Sequence, residues 1–161
     1  MKQEINRHEI LNKITPLIEN TTMRYNLIPL EIDFEKENHR WFLRIFLFSY
    51  ERAISLEDCE NVTRSLNDFL DELIPCKYYL EVSSPGLERK FKSDKEFVIF
   101  NGKNIILKLK SGVGENEDKN FKAKILDFNE TDGLKILKLD DNTEHLIHKE
   151  KILSARLYLE D

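Results

Sequence analysis

The chain has 161 residues, of which 40% are hydrophobic and 34% are charged, and this composition excludes intrinsic disorder and indicates a soluble globular protein. No apolar run approaches the roughly 18 residues of a membrane-spanning helix, and the first residues lead into no apolar signal core, so we expect a cytoplasmic protein. The residues up to Phe91 include 12 basic and 16 acidic side chains, so this part carries a net charge of −4, whereas the whole chain carries −5. This excess argues against nucleic-acid binding by bulk electrostatics and suits a basic protein partner better.

The first 91 residues predict two helices and three strands, beginning with a helix and a hairpin. Apolar residues at helical spacing predict a helix over residues 4–20, with a kink at Pro16. Strict alternation of apolar and acidic residues predicts a half-buried strand over residues 30–35. The nearly apolar run 41–48 predicts a second strand in the interior of a sheet, paired with the first as a hairpin.

A second helix and a third strand complete this part of the chain. The helix begins after Ser55, which is a good N-cap residue, and Pro75 ends it. Residues 78–83 predict the third strand. The order α-β-β-α-β predicts a two-layer α+β domain, with both helices on one face of a small sheet.

After residue 91 the pattern changes to short strands separated by turn signals. Residues 94–100 predict one helical turn, and strands are predicted at residues 104–110, 120–128, 134–139, 144–148 and 152–159. The segment 111–114 contains two glycines but lacks the rest of a dinucleotide-binding fingerprint, so we expect a hairpin loop there. This pattern predicts a small all-β barrel and a division into domains of residues 1–91 and 92–161.

The most distinctive segment joins the two predicted domains. A strand runs into Ser84-Pro85-Gly86, where proline holds the preceding residue extended and glycine supplies the positive φ of a type II turn. We expect a rigid elbow that fixes the domain orientation, with Leu87 filling a gap and Arg89 bridging the domains or facing a ligand. The signature segment consists of Leu80, Glu81, Val82, Ser83, Ser84, Pro85, Gly86, Leu87, Glu88 and Arg89.

This signature segment closely resembles that of the ribosome maturation factor RimP family. Asp58-Cys59 at the start of the second helix resembles that family's Asp-Cys pair, and Pro16 falls where the family often has a helix proline. The change from mixed helices and strands to strands alone also matches the family. Departures from its pattern are Asn26, Lys90 and Ala123.

The resemblance implies a bacterial protein that binds the small (30S) ribosomal subunit during its assembly and is not an enzyme. The implied fold of the barrel is Sm-like or SH3-like, and the implied partners are the basic ribosomal protein near the decoding centre and neighbouring 16S rRNA. We expect no cofactor, no metal, no small-molecule substrate, no membrane partner and a monomer. The alternative function is a free-standing RNA-binding module, and the alternative role of the signature segment is direct contact with a ribosomal component.

Three carboxylates share one face of the first predicted strand, because side chains two positions apart in a strand point the same way. They are Glu31, Asp33 and Glu35. Either they lie on a solvated sheet face, or they dock the basic ribosomal protein. We hypothesise docking, because the acidic excess lies in this part of the chain.

Four lysines form the second candidate surface. Lys108 and Lys110 share one face of their strand, and Lys122 and Lys124 share one face of the next. If these strands form a hairpin, the four side chains converge on one patch that can hold rRNA phosphates. The alternative is that they keep the barrel surface soluble and an edge strand unpaired.

The remaining residues give weak signals. Cys59 lies on the apolar stripe of its helix, so we expect a structural thiol rather than a nucleophile. The four histidines are scattered, without Cys or acidic residues at metal-ligand spacing. Ser83 and Ser84 do not belong to a nucleophile elbow served by a histidine. The acidic part also lacks the Gly-x-x-Gly loop of a KH-type RNA binder.

Overall fold

The computed structural model describes residues 4–85 and 89–158. The chain divides into two compact units, Met1–Pro85 and Gly86–Asp161. The predicted domain boundary after Phe91 falls inside the second unit, where the Phe91 N–H donates to the Ala155 carbonyl at 2.8 Å. Among the described residues, no helix is both long and apolar enough to cross a membrane.

The first helix, α1 (Arg7–Arg24), begins and ends later than the sequence predicts. It begins after Asn6, whose side-chain oxygen accepts a hydrogen bond from the Glu9 N–H at 3.2 Å, as N-cap residues do. Beyond its end, Asn26 takes a φ of 59°, the left-handed conformation that asparagine tolerates. Pro16 lies inside the helix, which continues on both sides of it.

The second helix, α2 (Leu56–Leu73), begins where Ser55 predicts. The Ser55 hydroxyl accepts a hydrogen bond from the Asp58 N–H at 3.1 Å, and the Asp58 carboxylate accepts one from the Ser55 N–H at 2.8 Å. This reciprocal arrangement is a capping box. The Arg52 guanidinium also donates to Asp58 and holds the pKa of that carboxyl well below its usual range. The buried stripe of α2 contains Val62, Leu66 and Leu70.

Three strands form the sheet of the first unit, in the order β1-β2-β3. They are β1 (Ile28–Glu37), β2 (Arg40–Phe48) and β3 (Tyr78–Ser83). β1 and β2 form the predicted antiparallel hairpin, with Asn38 and His39 at positive φ in its turn, as a type I′ turn requires. β3 runs parallel to β2, so β2 is the central strand and the α-β-β-α-β arrangement is confirmed. The core between sheet and helices includes Ile14, Ile18, Phe34, Leu43, Ile45, Leu66 and Leu70.

The second unit contains a short helix and a five-stranded antiparallel sheet. The helix α3 (Lys95–Ile99) corresponds to the predicted helical turn, and the ring centroid of Phe91 lies 5.2 Å from those of both Phe97 and Phe100. The strand order is β7-β6-β5-β4-β8. The strands are β4 (Asn104–Val113), β5 (Asp118–Asn129), β6 (Gly133–Lys138), β7 (Thr143–Ile147) and β8 (Ile152–Leu157).

The prediction of a hairpin loop at residues 111–114 is wrong in its position. β4 continues past Gly112, and the turn lies between Gly114, where φ is 76°, and Glu117, where φ is 50°. A Cβ on Gly112 would lie 2.2 Å from the Glu117 carbonyl oxygen. Glycine therefore lets the two arms of the hairpin approach closely. The pairing of β4 with β5 becomes irregular beyond Lys108, as at a β-bulge.

The two outer strands of this sheet, β7 and β8, follow one another in the chain. They are connected by His148 and a 3-10 helix, Lys149–Lys151. The three residues of this helix span only about 6 Å, at about 2 Å per residue. In a flat sheet, β7 and β8 would be four inter-strand spacings apart, or about 19 Å. The sheet therefore curls strongly on itself. Its buried face includes Ile105, Leu107, Ala123, Ile125, Leu134 and Ile136.

Candidate functional site

The sheet face of the first unit that points away from the helices carries the predicted acidic residues. These residues are Glu31, Asp33 and Glu35, and they alternate in β1 with side chains that pack in the core, such as Phe34. Asp33 lies opposite Arg44 of β2, and Arg44 lies opposite Glu81 of β3. We call this surface the acidic sheet face. It is defined by Glu31, Asp33, Glu35, Glu37 and Glu81.

Arg7, the first residue of α1, contacts two of the three predicted carboxylates. Its Nη2 atom lies 3.3 Å from Asp33 Oδ1 and 3.6 Å from Glu35 Oε1. Its Nε atom donates to the Phe34 carbonyl at 2.7 Å. Arg7 therefore neutralises part of the negative charge of this face. The alternating pattern of β1 alone did not indicate this ion pairing. Because these ion pairs are partly exposed, they contribute little to folding stability, and each carboxylate can still accept hydrogen bonds from a partner.

Arg44 lies at the centre of the acidic sheet face. Its guanidinium donates to both carboxylate oxygens of Glu37, at 2.7 and 3.0 Å, and to Glu81 Oε2 at 2.8 Å. The hydrogen bonds raise the pKa of Arg44 and lower the pKa of Glu37, because each side chain favours the charged form of the other. The guanidinium also lies 4.8 Å from the ring centroid of Phe42, which is 5.5 Å from that of Tyr79. The face is thus a set of carboxylates around a fixed cation and two aromatic rings.

The signature segment extends from the first unit into the second. β3 contains Leu80, Glu81, Val82 and Ser83, and Ser84 and Pro85 follow it. Leu80 and Val82 are half-buried, whereas Glu81 and Ser83 are exposed. The signature residues Gly86, Leu87 and Glu88 lie outside the described residues. They include the predicted turn glycine, Gly86, and the predicted gap-filling side chain, Leu87.

Arg89, the last residue of the signature segment, is buried in the second unit. Its Nε atom donates to Glu96 Oε1 at 2.5 Å, and Glu96 is fully buried. The other oxygen of that carboxylate accepts from the N–H groups of Lys92 and Ser93, at 2.5 and 2.9 Å, just before α3 begins. This contact is internal to the second unit, and the bridge between domains stays a prediction for Arg89.

Three of the four predicted lysines lie in a row along the outer face of β4 and β5. Lys108, Lys122 and Lys124 are exposed and alternate along their strands with buried residues. Lys108 lies opposite Asn120, which is two residues before Lys122 in β5. Lys110 is also exposed, but it lies in the part of β4 where the pairing with β5 is irregular.

Arg156 of β8 extends this group of lysines. It is exposed and lies opposite Ile106 of β4, which in turn lies opposite Lys122. The ammonium group of Lys122 donates to the Tyr158 hydroxyl at 2.9 Å and lies 4.2 Å from the centroid of its ring. Sequence reasoning missed Arg156, because no local pattern indicates that β8 pairs with β4. We call Lys108, Lys122, Lys124 and Arg156 the basic row.

The two cysteines are the other side chains that could act as nucleophiles. Cys59 and Cys76 are free and half-buried. Burial raises the pKa of both thiols, which keeps them protonated and weakly nucleophilic. Within residues 4–85 and 89–158, no three His, Cys, Asp or Glu side chains are grouped so that they could hold a metal ion.

A comparison with protein families supplies an assignment for the first unit. Residues 17–88 match the family model of the RimP N-terminal domain. The matched range begins inside α1, includes the whole sheet and α2, and ends within the signature segment. The resemblance that the signature segment indicates is thereby confirmed. The first unit therefore contains the N-terminal domain of the RimP family of ribosome maturation factors.

Proposed function

We propose that this protein binds the immature small (30S) ribosomal subunit in the cytoplasm and promotes its assembly by binding, without catalysing a reaction. The observation that carries this proposal is the match of residues 17–88 to the RimP N-terminal domain. A protein that binds one conformation of an immature particle increases the population of that conformation. It dissociates when later steps of assembly remove its binding site.

The acidic sheet face is proposed to dock the basic ribosomal protein near the decoding centre. Charge supports this assignment, because the unit Met1–Pro85 contains 10 basic and 15 acidic residues, whereas Gly86–Asp161 contains 15 of each. An acidic surface attracts a basic partner and raises the association rate in a salt-dependent way. Arg44 holds Glu37 and Glu81 in place, so part of the surface is organised before the partner arrives.

Charge reversal tests this docking surface. Glu31→Lys with Asp33→Lys should slow association with the isolated ribosomal protein about tenfold at low ionic strength and weaken its salt dependence. The matched control is Glu57→Lys with Asp68→Lys, two exposed positions of α2. Stopped-flow mixing over a salt series measures both quantities. An unchanged rate and salt dependence in the first variant, or equal effects in both, would exclude docking on this face.

The second unit is proposed to contact neighbouring 16S rRNA through the basic row. The two units are proposed to be domains, joined by the signature segment as a rigid elbow, so that both surfaces meet one target. The strong curvature of the five-stranded sheet supports a small barrel, Sm-like or SH3-like, because a closed sheet brings its two edge strands together.

Fractionation of cell lysate on a sucrose gradient tests the proposed function as a whole. We expect the protein to co-migrate with free small subunits and to be absent from translating ribosomes. Migration exclusively as free protein contradicts the proposal. The alternative, a free-standing RNA-binding module, instead requires tight binding to naked rRNA fragments at physiological salt, where a net charge of −5 opposes binding.

A further inference from the structure

The two edges of the sheet in the first unit differ. At the β1 edge, Arg7 donates to the Phe34 carbonyl at 2.7 Å, and Pro29 has no N–H to offer. Among the described residues, β2 is the strand to which β3 is hydrogen-bonded. Within residues 4–85 and 89–158, the other side of β3 makes no backbone hydrogen bond. A strand with a row of unpaired N–H and C=O groups can pair with another strand.

A groove of about 670 Å³ runs between α2 and this open edge. Leu56, Cys59 and Thr63, spaced by one helical turn, line it on the helix side, and Leu80 and Val82 line it on the strand side. Leu56 is 77% exposed, and the two strand residues are only half-buried. Side chains of α2 and β3 therefore line a space beside the open edge, where a fourth strand of the sheet could lie.

The charge around the groove indicates what kind of strand fits. Glu60 and Glu81 border it, with Arg64 as the basic residue of the lining. Arg64 donates to the neutral Asn61 side chain at 3.2 Å and keeps its charge, and Glu81 also accepts from Arg44 at 2.8 Å, so the attraction comes mainly from the acidic excess of the whole unit. The unit that contains the groove has five more acidic than basic residues, 15 against 10. A lysine- or arginine-bearing segment is attracted to this edge, whereas a second copy of the chain would bring its own Glu60 and Glu81 toward the first pair.

We propose that the open edge of β3 binds an extended segment of a basic protein, which adds to the sheet as a fourth strand. Alternate side chains of that segment point to opposite faces. Apolar ones enter the groove beside Leu56 and Thr63, and basic ones lie next to Glu81 on the outer face. Backbone pairing supplies affinity in this mode of recognition, and the pockets for alternate side chains supply specificity. The site is a property of the first unit alone and does not depend on the proposed ribosomal function.

A synthetic peptide of alternating valine and lysine, as long as β3, is the probe. Hydrogen exchange of the full chain, followed by NMR, measures its effect. We expect the peptide to bind and to slow exchange of outward-facing amides in Tyr78–Ser83, with no change in β1. A peptide of the same composition with its valines and lysines in separate blocks should bind about tenfold more weakly, because it cannot place one apolar side chain after another in the groove.

Three variants locate the site. Thr63→Trp fills the groove and should weaken peptide binding at least about tenfold, while Phe69→Trp, at an exposed position on a different side of α2, should leave binding unchanged. Leu56→Gln removes an apolar side chain from the groove and should also weaken peptide binding. Because Leu56 is already 77% exposed, this change does not disturb the core. The proposal is overturned if the peptide does not bind, if it protects β1 instead of β3, or if both tryptophan variants bind alike. Self-association through β3, detected by sedimentation without peptide, overturns it as well.

Discussion

Replacing three lysines of the basic row should make binding to the immature subunit less sensitive to salt. The change is Lys108→Gln, Lys122→Gln and Lys124→Gln together. All three side chains are exposed on the outer face of β4 and β5, so the substitutions remove charge without opening the core. If these lysines contact rRNA phosphates, each contact releases counterions when it forms.

The size of the effect follows from the number of contacts. Each phosphate contact contributes about 0.7 to 0.9 to the slope of log affinity against log salt concentration. Three contacts contribute about 2 to 2.7, so doubling the salt concentration should weaken wild-type binding about four- to sixfold more than binding of the variant. We expect the lower end of this range, because the Tyr158 hydroxyl already holds the Lys122 ammonium group at 2.9 Å.

Titration of purified immature subunits with labelled protein over a salt series measures the slope. The matched control replaces three exposed lysines elsewhere, Lys13, Lys95 and Lys151, and has the same change in net charge. The control should keep the wild-type slope. If the basic-row variant also keeps it, or if the control loses as much, the row serves only to keep the sheet surface soluble.

Three further predictions concern the stability of the two units. Ser55→Ala removes half of the capping box of α2 and should lower the free energy of unfolding by about 1 kcal/mol in urea denaturation; an unchanged midpoint would mean that the cap contributes nothing. Because the Arg52 hydrogen bond lowers the pKa of Asp58 in the folded protein, the stabilisation is complete above the unfolded pKa of about 3.9 and is lost as the pH falls below it. Asp58→Asn should therefore flatten the loss of stability in acid, and a pH profile parallel to that of the wild type would refute this. Glu96→Gln removes the buried carboxylate charge that pairs with Arg89 and should cost about 3–5 kcal/mol in thermal unfolding, so near-normal stability would contradict a stabilising role for this pair.

Features that depend on neighbouring residues could be predicted from the sequence. The start of α2 depends on hydrogen bonds between residues three positions apart, Ser55 and Asp58. The central position of β2 follows from apolar side chains on both of its faces. The left-handed conformation of Asn26 follows from the short polar side chain that tolerates it.

Contacts that depend on how strands align could not be predicted in the same way. Arg44 interrupts an apolar run, but its partners Glu37 and Glu81 lie on two other strands. Arg156 joins the basic row only because β8 pairs with β4. Gly112 lies in a strand because its backbone closely approaches that of Glu117. Neither the spacing of glycines nor turn propensity predicts this approach.

Equilibrium binding of the purified protein to small subunits in two states tests the central claim most directly. Immature subunits, taken from cells that lack the protein, are compared with mature subunits at physiological salt, and naked 16S rRNA is the reference. We predict tight binding to immature subunits and much weaker binding to mature subunits and to naked rRNA. Equal affinity for both kinds of subunit, or binding to naked rRNA alone, would contradict a function in assembly of the small subunit.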